Sequence, residues 1–467
     1  AAPAVAGYRI SPSFETPPSA APQDEEILRQ AASQGGLNSP ASRPRQTRPA
    51  IREAAMPKLT IVICADHAHV NGGQAKVALD SALGLAAAGA RVIFFSACGP
   101  VDQRLAAGVE TVCLDQKDIL ANPSRLDAAR QGIWNGKAAK ALGETLAKLP
   151  GENRIVHVHG WAKALSPAIA GPISGLPAAY TMHEYFLHCP NGGFYDFQKG
   201  AVCPLIPMSA ACWATHCDSR NYPFKLWRNV RLLAAQRVAR LAETFSDIIL
   251  LSDLQEKVLQ NCLPKNAAIH RVTNPVEAEP LGHKADPTGG DFLFVGRLSP
   301  EKGALLFAEA ARRAGVAPVF IGDGPIAGEL ATQYPQARLL GWRAPPDVRE
   351  AMRAARVLVF PSRWHETFGL TALEAKAMGT PAIVADGCAA REAVEDGVTG
   401  RWFRSGDANS LAAAIRELMN DAVIGEMSRR AYDAYWAAPA SLDRHVAETM
   451  VIYQTMLGRQ GRQSTTA

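Results

Sequence analysis

Residues Val357-Leu-Val-Phe-Pro-Ser-Arg-Trp-His-Glu-Thr-Phe-Gly-Leu-Thr-Ala-Leu-Glu-Ala-Lys-Ala-Met378 read as one strand–loop–helix unit. Four apolar residues in a row, Val357–Phe360, make a strand with no polar face, which needs cover on both sides. Pro361-Ser362 ends it, Phe368-Gly369-Leu370 makes a turn, and Leu370–Met378 has helical composition. Repeated units of this kind build parallel sheets, which bind ligands outside the carboxyl ends of their strands.

The unit recurs in both directions. Strands are expected at Asp291–Val295, Pro318–Ile321, Arg356–Phe360 and Pro381–Val384, with helices at Gly303–Ala314, Asp347–Ala354 and Ser410–Met419. A Pro- and Gly-rich joint, Asn274–Gly290, separates this series from an earlier one. The earlier series runs through Leu59–Cys64, a turn at Asn71-Gly72-Gly73, and a helix Gln74–Ala88 stopped by Gly89. Strands Arg91–Ser96, Ile155–His159, Ala178–Met182, Asp247–Leu251 and Ile269–Thr273 follow. The expected fold is α/β: two doubly wound parallel-sheet, Rossmann-like domains, residues 56–275 and 276–440, facing each other across a cleft. A helix at His445–Leu457, within 441–467, is expected to pack back on the body.

Residues 1–55 differ in kind. Nine prolines fall in the first 57 positions, mixed with Ser, Ala, Gln and Gly, too little apolar surface to offset the entropy of ordering. This stretch reads as a disordered or extension segment with a short helix at Asp24–Ser33, and Met56-Pro-Lys as a natural start.

Hydrophobic residues make up 48% of the 467 and charged residues 20%, which fits globular domains. A net charge of +5 agrees with anionic small ligands and gives no pointer to nucleic acid. No apolar run approaches the roughly 20 residues of a membrane span. Nine cysteines, an odd number and mostly scattered, suit a reduced, cytoplasmic setting.

Polar residues gather where strands end. After Phe292-Leu-Phe-Val-Gly296 come Arg297 and Lys302, two cations before a helix, suited to a diphosphate. By itself this could equally be a solvated basic loop. Phe320-Ile-Gly-Asp-Gly-Pro325 is a strand and tight turn, common on its own. Glu366 lies in the loop after Val357–Phe360, and Glu374 about one turn into the next helix, able to reach back to a ribose. A lone helix Glu is more often simply exposed. Phe368, Gly369 and Leu370 would offer backbone N–H groups at the helix start.

Taken together, Gly-Arg-Leu-Ser-Pro-Glu-Lys-Gly303, Gly-Asp-Gly-Pro325 and Pro361-Ser-x-x-x-Glu-x-Phe-Gly-Leu-x-x-x-Glu-Ala-x-Ala-x-Gly-x-Pro381 resemble the retaining family 4 (group 1) glycosyltransferases of GT-B fold, bacterial type. The resemblance runs along roughly residues 58–457 and is densest over 291–404. It implies that Arg297 and Lys302 hold the donor diphosphate at Gly296, that Glu374 binds the ribose, and that Glu366 contacts the sugar. It also implies that Gly72 and Gly73 form the glycine-rich loop and that His183 is the active-site histidine, although Glu184 follows it where Asp is usual. The implied reaction is transfer from a UDP- or GDP-sugar to a glycan, lipid-linked glycan or small-molecule acceptor, with retention and no required cofactor. No Asp-x-Asp occurs to bridge a metal. A nucleotide-sugar epimerase or a non-catalytic sugar-nucleotide-binding protein would use the same fold. A dinucleotide oxidoreductase would need Gly-x-Gly-x-x-Gly, and Asn71-Gly72-Gly73-Gln74 is not that.

Two further features stand out. His183, His188, Cys189, Cys203, Cys212, His216 and Cys217 crowd a loop at 183–222. The irregular spacing favours an ordinary cysteine-rich loop, with Cys189, Cys203, Cys212 and Cys217 as candidate structural zinc ligands. Lys225-Leu-Trp-Arg-Asn-Val-Arg-Leu-Leu-Ala-Ala-Gln-Arg-Val-Ala-Arg-Leu241 carries five cations among apolar residues. It reads as a packed helix with a solvated basic face, or as a peripheral contact with the inner membrane surface.

Overall fold

The computed structural model describes residues 59–464; the extension segment and its helix at Asp24–Ser33 lie outside them. The first strand, β1 (Thr60–His67), is buried at every position, which only a sheet covered on both faces allows. It is followed by β2 (Arg91–Cys98), β3 (Val109–Cys113), β4 (Arg154–Val158) and β5 (Ala178–Thr181). A small hairpin, β6 (Tyr195–Asp196) and β7 (Ala201–Val202), precedes β8 (Asp247–Leu250) and β9 (Ala268–Arg271). Apart from the hairpin these strands form one parallel sheet in the order β3-β2-β1-β4-β5-β8-β9. The second series holds β10 (Phe292–Val295), β11 (Pro318–Ile321), β12 (Arg338–Leu339), β13 (Val357–Phe360), β14 (Ala382–Ala385) and β15 (Gly400–Phe403). They form a second parallel sheet, β12-β11-β10-β13-β14-β15.

Strand order reverses between β1 and β4 in one sheet and between β10 and β13 in the other. Loops leaving those strands diverge to opposite faces and leave a crevice at each switch point. The residues picked out in the sequence follow these four strands or their neighbour β5. The lobes also touch through side chains. Thr367 Oγ1 donates to the His183 carbonyl at 3.0 Å. The Glu392 carboxylate accepts from the backbone N–H groups of Asp253 (2.9 Å) and Leu254 (2.8 Å), capping the helix Asp253–Leu259.

The last helix, Leu442–Ser464, extends beyond the expected His445–Leu457 at both ends. It packs on the first lobe, where Val446, Ile452, Tyr453 and Met456 join the core around β1 and β2. The strands β3, β12 and β15 and the helix Asp421–Ala437 were not legible. β3 and β12 are short edge strands with exposed positions, and β15 buries only its two end residues, so none carries a continuous apolar run.

Gly303 joins two loops of the second lobe. Its φ is +75°, and a Cβ there would stand 2.1 Å from the Pro361 carbonyl oxygen. Gly303→Ala therefore combines left-handed strain of about 1–3 kcal/mol with a backbone clash. Thermal unfolding should show Tm lowered by roughly 5 °C or more; an unchanged Tm would refute this packing.

Candidate active site

Three loops of the second lobe knit together above their strands. The Leu298 N–H donates to the Asp323 carbonyl at 2.9 Å, and the Arg363 N–H to the Glu301 carbonyl at 2.8 Å. At their junction sits the buried Glu366. Lys302 Nζ donates to its carboxylate at 2.7 Å and Ser362 Oγ at 2.6 Å, with the Trp364 indole alongside. Burial alone would push this carboxyl up; the Lys302 ammonium, reinforced by Ser362 and Trp364, reverses it and holds Glu366 below its usual value. Lys302 also lies 5.3 Å from the centre of the Trp364 ring. Arg297, just beyond Gly296, is exposed, and among the described residues it forms no ion pair.

The helix Leu370–Ala377 begins at Gly369, whose φ is +107° and where a Cβ would meet Ala390 at 2.6 Å. The N–H groups of Phe368, Gly369 and Leu370 cluster at this helix start, where no intrahelical partner exists. Glu374 is partly buried on the same helix, and its carboxylate makes no hydrogen bond among the described residues. Burial raises its carboxyl, against the pull of Lys76 from the first lobe and Arg349. Its acceptor capacity is therefore free.

The first lobe contributes from three strand ends. Gly72, with φ +108°, and Gly73 open the helix Gly73–Ala87, and a Cβ at either would have open space around it. His183 follows β5, and its Nε2 lies 3.0 Å from Nδ1 of His159, which follows β4. Burial pushes the His183 imidazole down to about 3, so it is neutral at ordinary pH. Beside it, burial and Asp66 push the Glu184 carboxyl up to about 7, against the pull of Lys163 and Arg231. His159 was missed as a site residue; its signal was a histidine closing an apolar strand, the feature that singled out His183.

The cysteine-rich loop reaches the opposite lobe. Gly193 lies flat on the Trp364 indole, where a Cβ would come within 2.5 Å of the ring, and Gly200 faces the Arg363 guanidinium. The zinc candidates Cys189, Cys203, Cys212 and Cys217 lie along this loop. Among the described residues no group of three His, Cys, Asp or Glu side chains could hold a metal ion. The buried Lys225 points Nζ at Cys212 Sγ, 3.5 Å away. All nine cysteines are free thiols.

The basic helix departs from the reading as a packed helix with a solvated basic face. Over Tyr222–Leu233 it buries Lys225 and Arg231 and exposes Val230 and Leu233. Arg231 donates to the Ala162 carbonyl at 2.8 Å, and Arg228 pairs with the buried Asp218 at 2.9 Å. Most of the cations thus hold the first lobe together, and the helix presents no continuous basic face. Among the described residues no helix is long and apolar enough to cross a membrane.

Residues 289–421 match the family model "Glycosyl transferases group 1". The chain is 25% identical over 299 residues to the UDP-Gal:alpha-D-GlcNAc-diphosphoundecaprenol alpha-1,3-galactosyltransferase of Escherichia coli, covering 59% of this chain and 68% of that one. Its fold matches the sucrose-phosphate synthase of Thermosynechococcus elongatus with TM-score 0.64 at 19% identity, over 86% of this chain and 100% of the other. It also matches Anabaena Alr3699/HepE, solved with UDP-glucose, with TM-score 0.58 at 19% identity, over 84% and 99%. The two facing parallel sheets are the GT-B arrangement.

The raised Glu184 carboxyl has a measurable consequence. A carboxyl raised on folding stabilises the protein fully below its unfolded value of 4.5, and the contribution is lost as pH rises through about 7. Glu184→Gln should therefore gain stability relative to wild type between pH 5 and pH 8, by on the order of 1–2 kcal/mol. Denaturant titrations at both pH values test this; a pH-independent difference would contradict it.

Proposed function

We propose that this glycosyltransferase, whose residues 289–421 are a group 1 domain, moves a hexose from a UDP- or GDP-sugar to a hydroxyl of a glycan, lipid-linked glycan or small-molecule acceptor. The transfer retains the anomeric configuration and uses no bridging metal. The observation that carries this reading is the Lys302–Glu366–Ser362 contact beside the open helix start at Gly369.

Breaking the glycosidic bond builds negative charge on the departing diphosphate. Arg297, Lys302 and the N–H groups of Phe368, Gly369 and Leu370 form a preorganised positive surface for it, which costs no reorganisation during the reaction. In the free protein Glu366 holds the Lys302 ammonium in place. When a donor binds, the ammonium lies between that carboxylate and the phosphates. Glu366, kept ionised, accepts hydrogen bonds from sugar hydroxyls, and Glu374, without a hydrogen-bond partner among the described residues, accepts them from the ribose. Gly72, Gly73 and His183 close on the donor from the first lobe. Retention follows if the acceptor hydroxyl approaches on the face the phosphate leaves, with that phosphate taking its proton, so that no enzyme nucleophile is needed. The UDP-Gal named for the Escherichia coli relative and the UDP-glucose bound to the Anabaena protein favour a uridine donor.

Lys302→Ala should lower kcat at least about tenfold, the scale of losing one charged transition-state contact. Near-normal turnover by the folded variant would remove Lys302 from the machinery. Saturating UDP, GDP or ADP should raise Tm, since a ligand at about 100 times Kd adds about 2.7 kcal/mol. The donor reading fails if none of the three does so.

A further inference from the structure

The contact between His159 and His183 fixes more than distance. His159 is fully buried. Its N–H donates to the Cys64 carbonyl at 2.8 Å, and its carbonyl accepts from Gln74 Nε2 at 2.5 Å, so the backbone is pinned to β1 and to the helix behind Gly72-Gly73. Its Nδ1 faces His183 Nε2 at 3.0 Å, while its own Nε2 is buried without a partner among the described residues. His183 is only partly buried, and its Nδ1 makes no hydrogen bond among the described residues. The His157 ring lies 4.2 Å from that of His159 and is held by Tyr453 OH (2.6 Å) and Thr181 Oγ1 (2.7 Å), so neither ring can turn away.

Burial holds both imidazoles well below their usual value, so each carries a single proton. Two arrangements satisfy the 3.0 Å contact. If His183 donated from Nε2, the proton of His159 would sit on its buried Nε2 as a stranded donor. If His159 donates from Nδ1, the stranded atom is only a lone pair, and the proton of His183 sits on Nδ1. Stranded buried N–H groups are the rarer and costlier defect. We infer that His159 is a positioning residue which locks His183 as the Nδ1–H tautomer, so that His183 offers the cleft a hydrogen-bond donor and cannot serve there as a base. A donor at that place suits a hydroxyl or phosphate oxygen of the bound sugar nucleotide; this use rests on the proposed transfer reaction, while the tautomer does not.

The test is long-range proton–nitrogen correlation on the whole chain with nitrogen-15 histidine, the His183 signals being identified by their loss in His183→Ala. Wild type should show His183 protonated at Nδ1 and bare at Nε2. His159→Leu removes the donor and should release His183 to the Nε2–H form. His159→Asn, whose side-chain amide stands near the Nδ1 position, should keep the Nδ1–H form. In parallel, His159→Leu should lose about fivefold to tenfold in kcat/KM, the scale of one hydrogen bond, and His159→Asn should recover most of it. An Nε2–H signal from His183 in wild type overturns the inference, as does an unchanged His183 tautomer in folded His159→Leu. Should the leucine variant not fold, the wild-type spectrum decides alone. If the spectra agree but no sugar nucleotide is turned over, the proposed reaction fails and the tautomer assignment stands.

Discussion

A parallel strand covered on both faces disfavours polar side chains along its length, because each must find a partner in an apolar interior without water. That constraint sets the plan of this molecule. β1 is buried from end to end, and its Asp66 and His67 come only at its last positions. β4 and β5 give way to His159 and His183, and β10 and β13 to the loops of Arg297, Lys302 and Glu366. Chemistry is pushed to the carboxyl ends of the strands, and the topology of each sheet then selects the two neighbouring ends where a ligand fits. The one polar side chain inside β4, His157, confirms the rule by its price in partners: Tyr453 and Thr181 between them satisfy both ring nitrogens.

The ionisable groups forced to these ends are held in different ways, and the difference carries their chemistry. Asp66 accepts three backbone N–H groups, from Lys163, Ala164 and Leu165, and so organises the loop behind His159. Glu366 has a cation and stays ionised. The Glu374 carboxylate has no hydrogen-bond partner among the described residues, and burial raises it. Glu184, buried and beside Asp66, is raised to about 7. Carboxylates of one residue type thus take up distinct states within one cleft, each set by its neighbours. The same logic governs the helix Tyr222–Leu233, whose cations turn inward because Asp218 and the Ala162 carbonyl give them partners. Exposed Val230 and Leu233 are the consequence.

The fold was readable wherever apolar runs were continuous: β1, β10, β11 and β13 lie within a residue or a few of their expected bounds. It was unreadable at the sheet edges, where β3, β12 and β15 are short or only partly buried. The candidate donor loops were readable as positions, because glycines, cations and carboxylates fall after strands. Their contacts were not. Nothing in the sequence pairs Lys302 with Glu366, lays Gly193 on Trp364, or points Lys225 at Cys212. In the cysteine-rich loop, too, ligand chemistry can be read from composition and ligand geometry cannot.

What the sequence determined by itself was the α/β plan, the two series of strands and the strand ends at which polar residues collect. These follow from apolar periodicity, which is local. Tertiary structure alone decided which polar atoms meet: Lys302 and Glu366 are 64 residues apart, and Thr367 meets His183 across 184. It also decided protonation, because desolvation and neighbouring charge belong to the assembled cleft. A histidine that reads in the chain as a group titrating near neutrality becomes, between His159 and the first sheet, a neutral ring with its proton assigned.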